Sequence, residues 1–224
     1  MNYIFVDFEM NPIHRKYVAE RKIYKQEIIE IGAIMIDDNL DEISSFKAYV
    51  KPKYSEFVTT KITDLTGITS NQLCMASSVG VELENFAKWC IEKSNNEFVV
   101  FAWSESDLDQ VLNELKLKEI TVSENLKRVI DSWQDLQLEY DRVTKSEKQT
   151  GLRKALESLG IYFTGKMHDA LDDSRNTAII FRELQNPEQM LANIEEIRSY
   201  YTGEHKDSIT QGDLIDFSAF QISA

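Results

Sequence analysis

Residues 2–8 alternate in hydrophobic pattern, with Tyr3, Phe5, Asp7 and then Glu9 on one face and Ile4, Val6, Phe8 and Met10 on the other, which predicts a β-strand running into two carboxylates. A basic loop over 11–26 follows. Apolar stretches at 28–36 and 43–50 read as two further strands, joined by the turn-forming Asp37-Asp38-Asn39. Helical spacing of Val79, Leu83, Phe86, Ala87 and Cys90 predicts a helix over 79–94. EFVVFAW at 97–103 reads as a buried strand, and Leu108, Val111, Leu112 and Leu115 as the core stripe of a helix over 105–118. RVIDSW at 128–133 is a candidate fifth strand. Helices are expected at about 151–159, 169–184 and 187–200 from capping and periodicity, with loop or tail after Gly203. Three strands, then helix, strand and helices imply an α/β fold with a mixed sheet.

Composition changes this picture little. The 224 residues are 42% hydrophobic, enough for one core-bearing domain with a helical extension. The longest apolar run, Phe98 to Trp103, is too short for a bilayer, and no export signal is visible at the N-terminus. Cys74 and Cys90 have no metal-type spacing and suit a reducing compartment, so a cytoplasmic protein is expected. The net charge of −13 sits awkwardly with a polyanionic partner. Two segments run against it: 11–26 holds Arg15, Lys16, Arg21, Lys22 and Lys25 against Glu20, and 142–154 holds Arg142, Lys145, Lys148, Arg153 and Lys154 against Glu147. These segments are the expected phosphate contacts.

The chemistry-bearing positions are few. Asp7 and Glu9, two apart on a strand, leave the same face, and an apolar face tolerates two acids at a cost that a bound cation would offset. The alternative is a strand that ends in polar residues. His168 and Asp173 are five apart, which separates them on a continuous helix. A helix start at Asp169 as N-cap makes His168 N′ and Asp173 N4, the two positions that meet in a staple. Asp173 then shares a side with Thr177, Ile180 and Leu184 and points inward, while Asp172 is a capping residue. Asp107 flanks the stripe of its helix, and taken alone its pattern is that of a solvated acid. Trp89, Phe86 and Trp103 read as packing residues. His14 and His205 stand in polar segments, and Thr66-Gly67-Ile68-Thr69 reads as a turn.

Taken together, these motifs resemble the DEDDh exonucleases of the DnaQ-like superfamily, which have a ribonuclease-H-like fold. VDFEM matches the family's first motif, Asp107 with Val111 and Leu112 its second, and HDALDD its third. QEIIEIGAI, KITDLTGIT and GLRKALESLGI match the family's intervening segments, and the resemblance spans residues 2–184 in order. The pattern is most similar to the branch containing the Eri-1 and histone-mRNA 3′ exonucleases and the bacterial KapD-like proteins. Ser106 stands where eukaryotic members of that branch carry an aromatic residue that stacks on the terminal base.

The resemblance implies an exonuclease domain over 1–185, with 186–224 as a C-terminal helix and acidic tail. It implies a metal-dependent 3′→5′ exonuclease that releases nucleoside 5′-monophosphates from single-stranded RNA or DNA 3′ ends, with RNA favoured. Asp7, Glu9, Asp107 and Asp173 are the implied ligands of two divalent cations, Mg²⁺ or Mn²⁺, about 3.5–4 Å apart. His168 is the implied general base. Met10, Ile13, Leu65, Thr66 and Ile68 are the implied contacts to the last nucleotide. The rival functions are a DNA proofreading or repair exonuclease, or a catalytically inactive nucleic-acid-binding module of the same fold. A nucleotide-binding protein would need a Gly-rich phosphate loop, which eight glycines do not supply here.

Overall fold

The computed structural model describes residues 1–202, and the expected tail after Gly203, with His205, lies outside them. The chain opens with β1 (Asn2–Pro12), α1 (Glu20–Ile23), β2 (Gln26–Ile36) and β3 (Glu42–Lys51). Two short helices, α2 (Thr60–Thr66) and α3 (Ser70–Cys74), precede β4 (Ser77–Ser78) and α4 (Val79–Lys93). Then come β5 (Phe98–Ala102), α5 (Glu105–Leu117), α6 (Glu124–Asp131), β6 (Trp133–Asp135) and α7 (Leu136–Thr144). The described residues end with α8 (Leu152–Ser158), α9 (Ala170–Leu184) and α10 (Pro187–Thr202).

The sheet order is β4-β3-β2-β1-β5-β6. β1, β2 and β3 pair antiparallel, β5 and β6 run parallel to β1, and β4 runs parallel to β3, so the sheet is mixed. The alternation along β1 feeds two cores. Ile4, Val6 and Phe8 pack on one side with Leu83, Phe86 and Val129, while Phe5 packs on the other with Leu156, Ile180 and Phe181. Burial on both faces is the reason the stretch Ile4–Val6 is wholly apolar. Met190 of α10 is fully buried in the second core, which seats this helix against the domain.

Three expectations need correction. Residues 128–131 are helical and the strand begins at Trp133, because Leu126 and Val129 bury one face of α6 behind a Ser123 cap whose Oγ accepts the Leu126 amide at 3.1 Å. The stripe of α5 is rotated: Leu112 is 44% exposed, while Asp107, Gln110, Val111 and Glu114 are buried. The basic 11–26 segment is not a single loop, since β1 extends to Pro12 opposite Gln26 and α1 occupies its middle.

Candidate active site

Asp7 and Glu9 sit near the end of β1, paired across the ladder with Gly32 and Glu30 of β2, just before a register shift between Glu9 and Met10. Such a shift is a common device for re-aiming side chains beside a site. Asp107 is in the first turn of α5, directly after β5, where the helix terminus favours a carboxylate. It is 6% exposed, so the solvated pattern of the sequence does not hold in the fold.

The start of α9 follows the expected capping logic. Asp169 is the N-cap, and its Oδ1 accepts the amides of Leu171 at 3.2 Å and Asp172 at 3.4 Å. His168 takes φ 63°, a left-handed conformation that costs a non-glycine residue energy and recurs at functional sites. Its backbone N–H donates to Asp173 Oδ2 at 2.9 Å, so the N′ and N4 residues are joined. Asp172 is occupied elsewhere, accepting the Lys166 amide at 2.9 Å and pairing with Arg175 at 3.3 Å.

Gly32 explains how α9 comes so close to the strands. A Cβ there would collide with the backbone of Ala170 and Leu171, so the helix rests on the bare strand. Ser174 Oγ donates to Gly32 O at 2.7 Å and secures the contact. Because Gly32 is the ladder partner of Asp7, the helix is docked next to the strand carboxylate. Glu30, one pleat away, accepts the Ala170 amide at 3.1 Å, and Lys47 of β3 bridges Glu30 at 3.2 Å and the Asp169 cap at 2.5 Å. Gly32, Glu30, Lys47 and Ser174 were not among the residues expected from sequence. An isolated glycine within an apolar strand is the one available signal, since it marks close backbone approach.

The result is a cluster of acids. Asp7, Glu9 and Asp173 each offer an oxygen, and these lie within 4.8 Å of one another. Asp107 stands outside that trio, yet among neighbouring charges it acts most strongly on Asp7. Burial, and then the charges of Asp107, Asp173 and Glu9, raise the Asp7 carboxyl well above the ordinary range. Burial first and Asp173 next push Glu9 up to about 8. Asp107 and Asp173 rise to about 7, chiefly through burial, with backbone hydrogen bonds from Phe8 and His168 respectively pulling the other way. No Lys or Arg among the described residues pairs with any of the four. The nearest base is His168, whose Nδ1 lies 4.0 Å from Glu9 Oε1 on a half-exposed ring.

The five expected nucleotide contacts divide by exposure. Leu65 is 40% exposed and Met10 half-buried, whereas Ile13, Thr66 and Ile68 are buried. Thr66 Oγ1 donates to Ile62 O at 2.8 Å and accepts the Ile68 amide at 3.0 Å, closing the turn at Gly67 (φ 78°). This turn is tied to the His168 loop, because Lys166 Nζ donates to Thr66 O at 2.7 Å. The basic segments are less free than composition suggests: Lys16 pairs with Glu56, Arg142 with Glu139 and Arg153 with Glu157. Trp103 is a packing residue, with Nε1 on Thr150 O at 3.0 Å and its ring against Tyr140.

The mixed sheet with helices on both faces is a ribonuclease-H-like architecture. The chain belongs to the exonuclease family RNase_T, which matches residues 4–181, and within it is similar to Eri-1 and KapD proteins. It is 34% identical over 200 residues to ERI1 exoribonuclease 2 of Danio rerio, covering 81% of this chain and 34% of that protein. It is 27% identical over 190 residues to the probable 3′-5′ exonuclease KapD of Bacillus subtilis, covering 84% and 86%. The solved nuclease domain of 3′hExo, a DEDDh family member bound to rAMP, superposes with a TM-score of 0.71 at 24% identity, covering 83% of this chain and 92% of that one. The chain spans 25–34% of the length of the ERI1 exoribonuclease 2 proteins it matches. No helix among the described residues is long and apolar enough to cross a membrane.

Proposed function

We propose that the chain is a metal-dependent 3′→5′ exonuclease acting on single-stranded nucleic acid, RNA in preference to DNA, through residues 1–185. The observation that carries this reading is the cluster of four carboxylates that no Lys or Arg among the described residues pairs with, and a histidine at its rim. The carboxyl pKa values are raised first by burial and then by the neighbouring acids, and hard divalent cations with oxygen-ligand preferences offset both costs. The donor set therefore fits Mg²⁺ or Mn²⁺, which Asp7, Glu9, Asp173 and Asp107 would hold. Bound there, the ions supply Lewis-acid polarisation of the phosphodiester and neutralise charge developing on it.

His168 acts as general base, taking a proton from the attacking water as the phosphodiester is cleaved to a nucleoside 5′-monophosphate. Its half-exposed ring is open to solvent, and the bond from its amide to Asp173 holds the loop in place. Leu65 and Met10 offer apolar surface to the last base, and Ile13, Thr66 and Ile68, buried in the fold, line the same region. The RNA preference rests on relatives named as exoribonucleases.

The test is hydrolysis of matched 3′-labelled RNA and DNA strands with Mg²⁺, Mn²⁺ or EDTA. Metal-dependent release of mononucleotides from the 3′ end, faster on RNA, is expected. Faster DNA degradation would replace the substrate, and binding without cleavage would replace the enzyme with an inactive module. His168→Asn should slow turnover about 10²–10⁴-fold while leaving divalent-cation binding intact. An unchanged rate would assign His168 a structural role.

A further inference from the structure

The proposed function leaves open how so acidic a protein holds a phosphate strand at the site itself. Most cations around the acid cluster are already engaged. Lys47 is bound by Glu30 and Asp169, Arg175 by Glu42 and Asp172, and Lys16 by Glu56. Arg21 is turned onto Ile13 O at 2.6 Å. Lys166 differs from the ion-paired cations in its partner and from Arg21 in its place beside His168. It lies two residues before His168, is exposed, and forms no ion pair among the described residues, although Asp169, Asp172 and Asp173 are in the same loop and helix start. Its ammonium is held by a neutral group, Thr66 O, at 2.7 Å.

That carbonyl closes the last turn of α2, where a cation is favourable but weakly held. One bond to a carbonyl leaves two ammonium donors unused and the full charge uncompensated. Gly67 keeps the perch open, because a Cβ there would lie 2.5 Å from Lys166 Nζ. The ammonium thus spans the gap between the turn that carries Leu65 and the loop that carries His168, the two elements that flank the proposed site of the terminal nucleotide.

Resting on the exonuclease reading, we propose that Lys166 is the residue that grips a backbone phosphate of the substrate's 3′-terminal nucleotides, exchanging the Thr66 carbonyl for the phosphate when the strand enters. A charge-assisted bond to phosphate is stronger than one to a neutral carbonyl, so the exchange favours the bound strand. The charge acts in ground and transition states alike and therefore sets affinity, not turnover.

The experiment compares wild type, Lys166→Met and Lys166→Arg on a labelled single-stranded RNA oligonucleotide, by kinetics with Mg²⁺ over a range of salt. A parallel anisotropy titration without divalent cation reads the same grip with no turnover. Lys166→Met should raise KM and Kd about tenfold or more. It should also flatten the salt dependence by about 0.7 in slope, leave kcat near wild type, and be rescued by Arg. Unchanged KM, Kd and salt slope in Lys166→Met would overturn the assignment. So would a fall in kcat and melting temperature at constant slope, which is the signature of a mere strap between loop and turn. A wild type that binds the strand through Lys166 but never cleaves it would overturn the exonuclease reading and leave this assignment standing.

Discussion

Two clusters of acids stand among the described residues, one fully buried and one buried only in part, and they are balanced in opposite ways. In one, Glu27 and Glu114 close on Lys118, whose Nζ lies 2.8 and 2.6 Å from them. The amides of Ile28, Lys53 and Tyr54 and the Ser55 hydroxyl also donate to these two acids. In the other, Asp7, Glu9 and Asp173 converge with Asp107 beside them, and among the described residues no lysine or arginine pairs with any of the four. The first cluster carries its counter-charge in the sequence and serves to join α5 to β2. The second has no such partner among the described residues, and under the proposed function its counter-charge is a bound divalent cation. Buried acids alone distinguish nothing; the presence or absence of an internal cation does.

The sharpest way to break the comparison is to delete an acid from the unpaired cluster. Asp7→Ala and Asp173→Ala should each abolish hydrolysis, yet the metal-free protein should melt at the same temperature or higher, since repulsion is relieved. Wild-type-like turnover in either variant would remove the site assignment. Deleting the cation of the paired cluster should do the reverse. Lys118→Ala strands two buried carboxylates, a loss of about 3–5 kcal/mol, read as a lower midpoint in denaturant. A variant as stable as wild type would mean that water compensates the acids.

A smaller effect follows from protonation. Glu9 at about 8 and Asp107 and Asp173 at about 7 bind protons more tightly when folded than when unfolded. The metal-free fold therefore has its greatest help from these groups below the ordinary carboxylate range. It loses that help as pH rises towards 8 and the acids ionise against one another. Melting temperature without divalent cation should fall between about pH 5 and 8, and Mg²⁺ or Mn²⁺ should raise it most at the alkaline end. A flat profile in both conditions would show that the carboxylates ionise freely and are not crowded.

Much of this arrangement was legible in the chain, for identifiable reasons. Strand alternation placed Asp7 and Glu9 on one face, and helix capping joined His168 to Asp173, because both rules are local. Asp107 was not legible from its own helix, since its carboxylate meets the Phe8 amide of β1, far away in the chain. The short helices α2, α3 and α7 escaped because each buries only one to three side chains, too few to set a period. Strand and helix were misplaced at 128–133 because Val129 and Ile130 suit either state until Leu126 joins them in α6. Lys47, Glu30 and Lys166 are matters of tertiary distance, which no spacing along the chain encodes.

Gly32 has a thermal consequence. Where side chains separate a helix from a sheet, heating lets the gap breathe before the fold is lost. Here backbone rests on backbone, and Ser174 Oγ ties the two at the ladder partner of Asp7. The spacing of Asp7 and Asp173 has no soft layer to expand. Catalysis should consequently persist up to the global melting transition and vanish with it, so that inactivation and unfolding curves coincide. An inactivation midpoint well below the melting temperature would mean that the helix lifts from the strand while the rest of the fold survives.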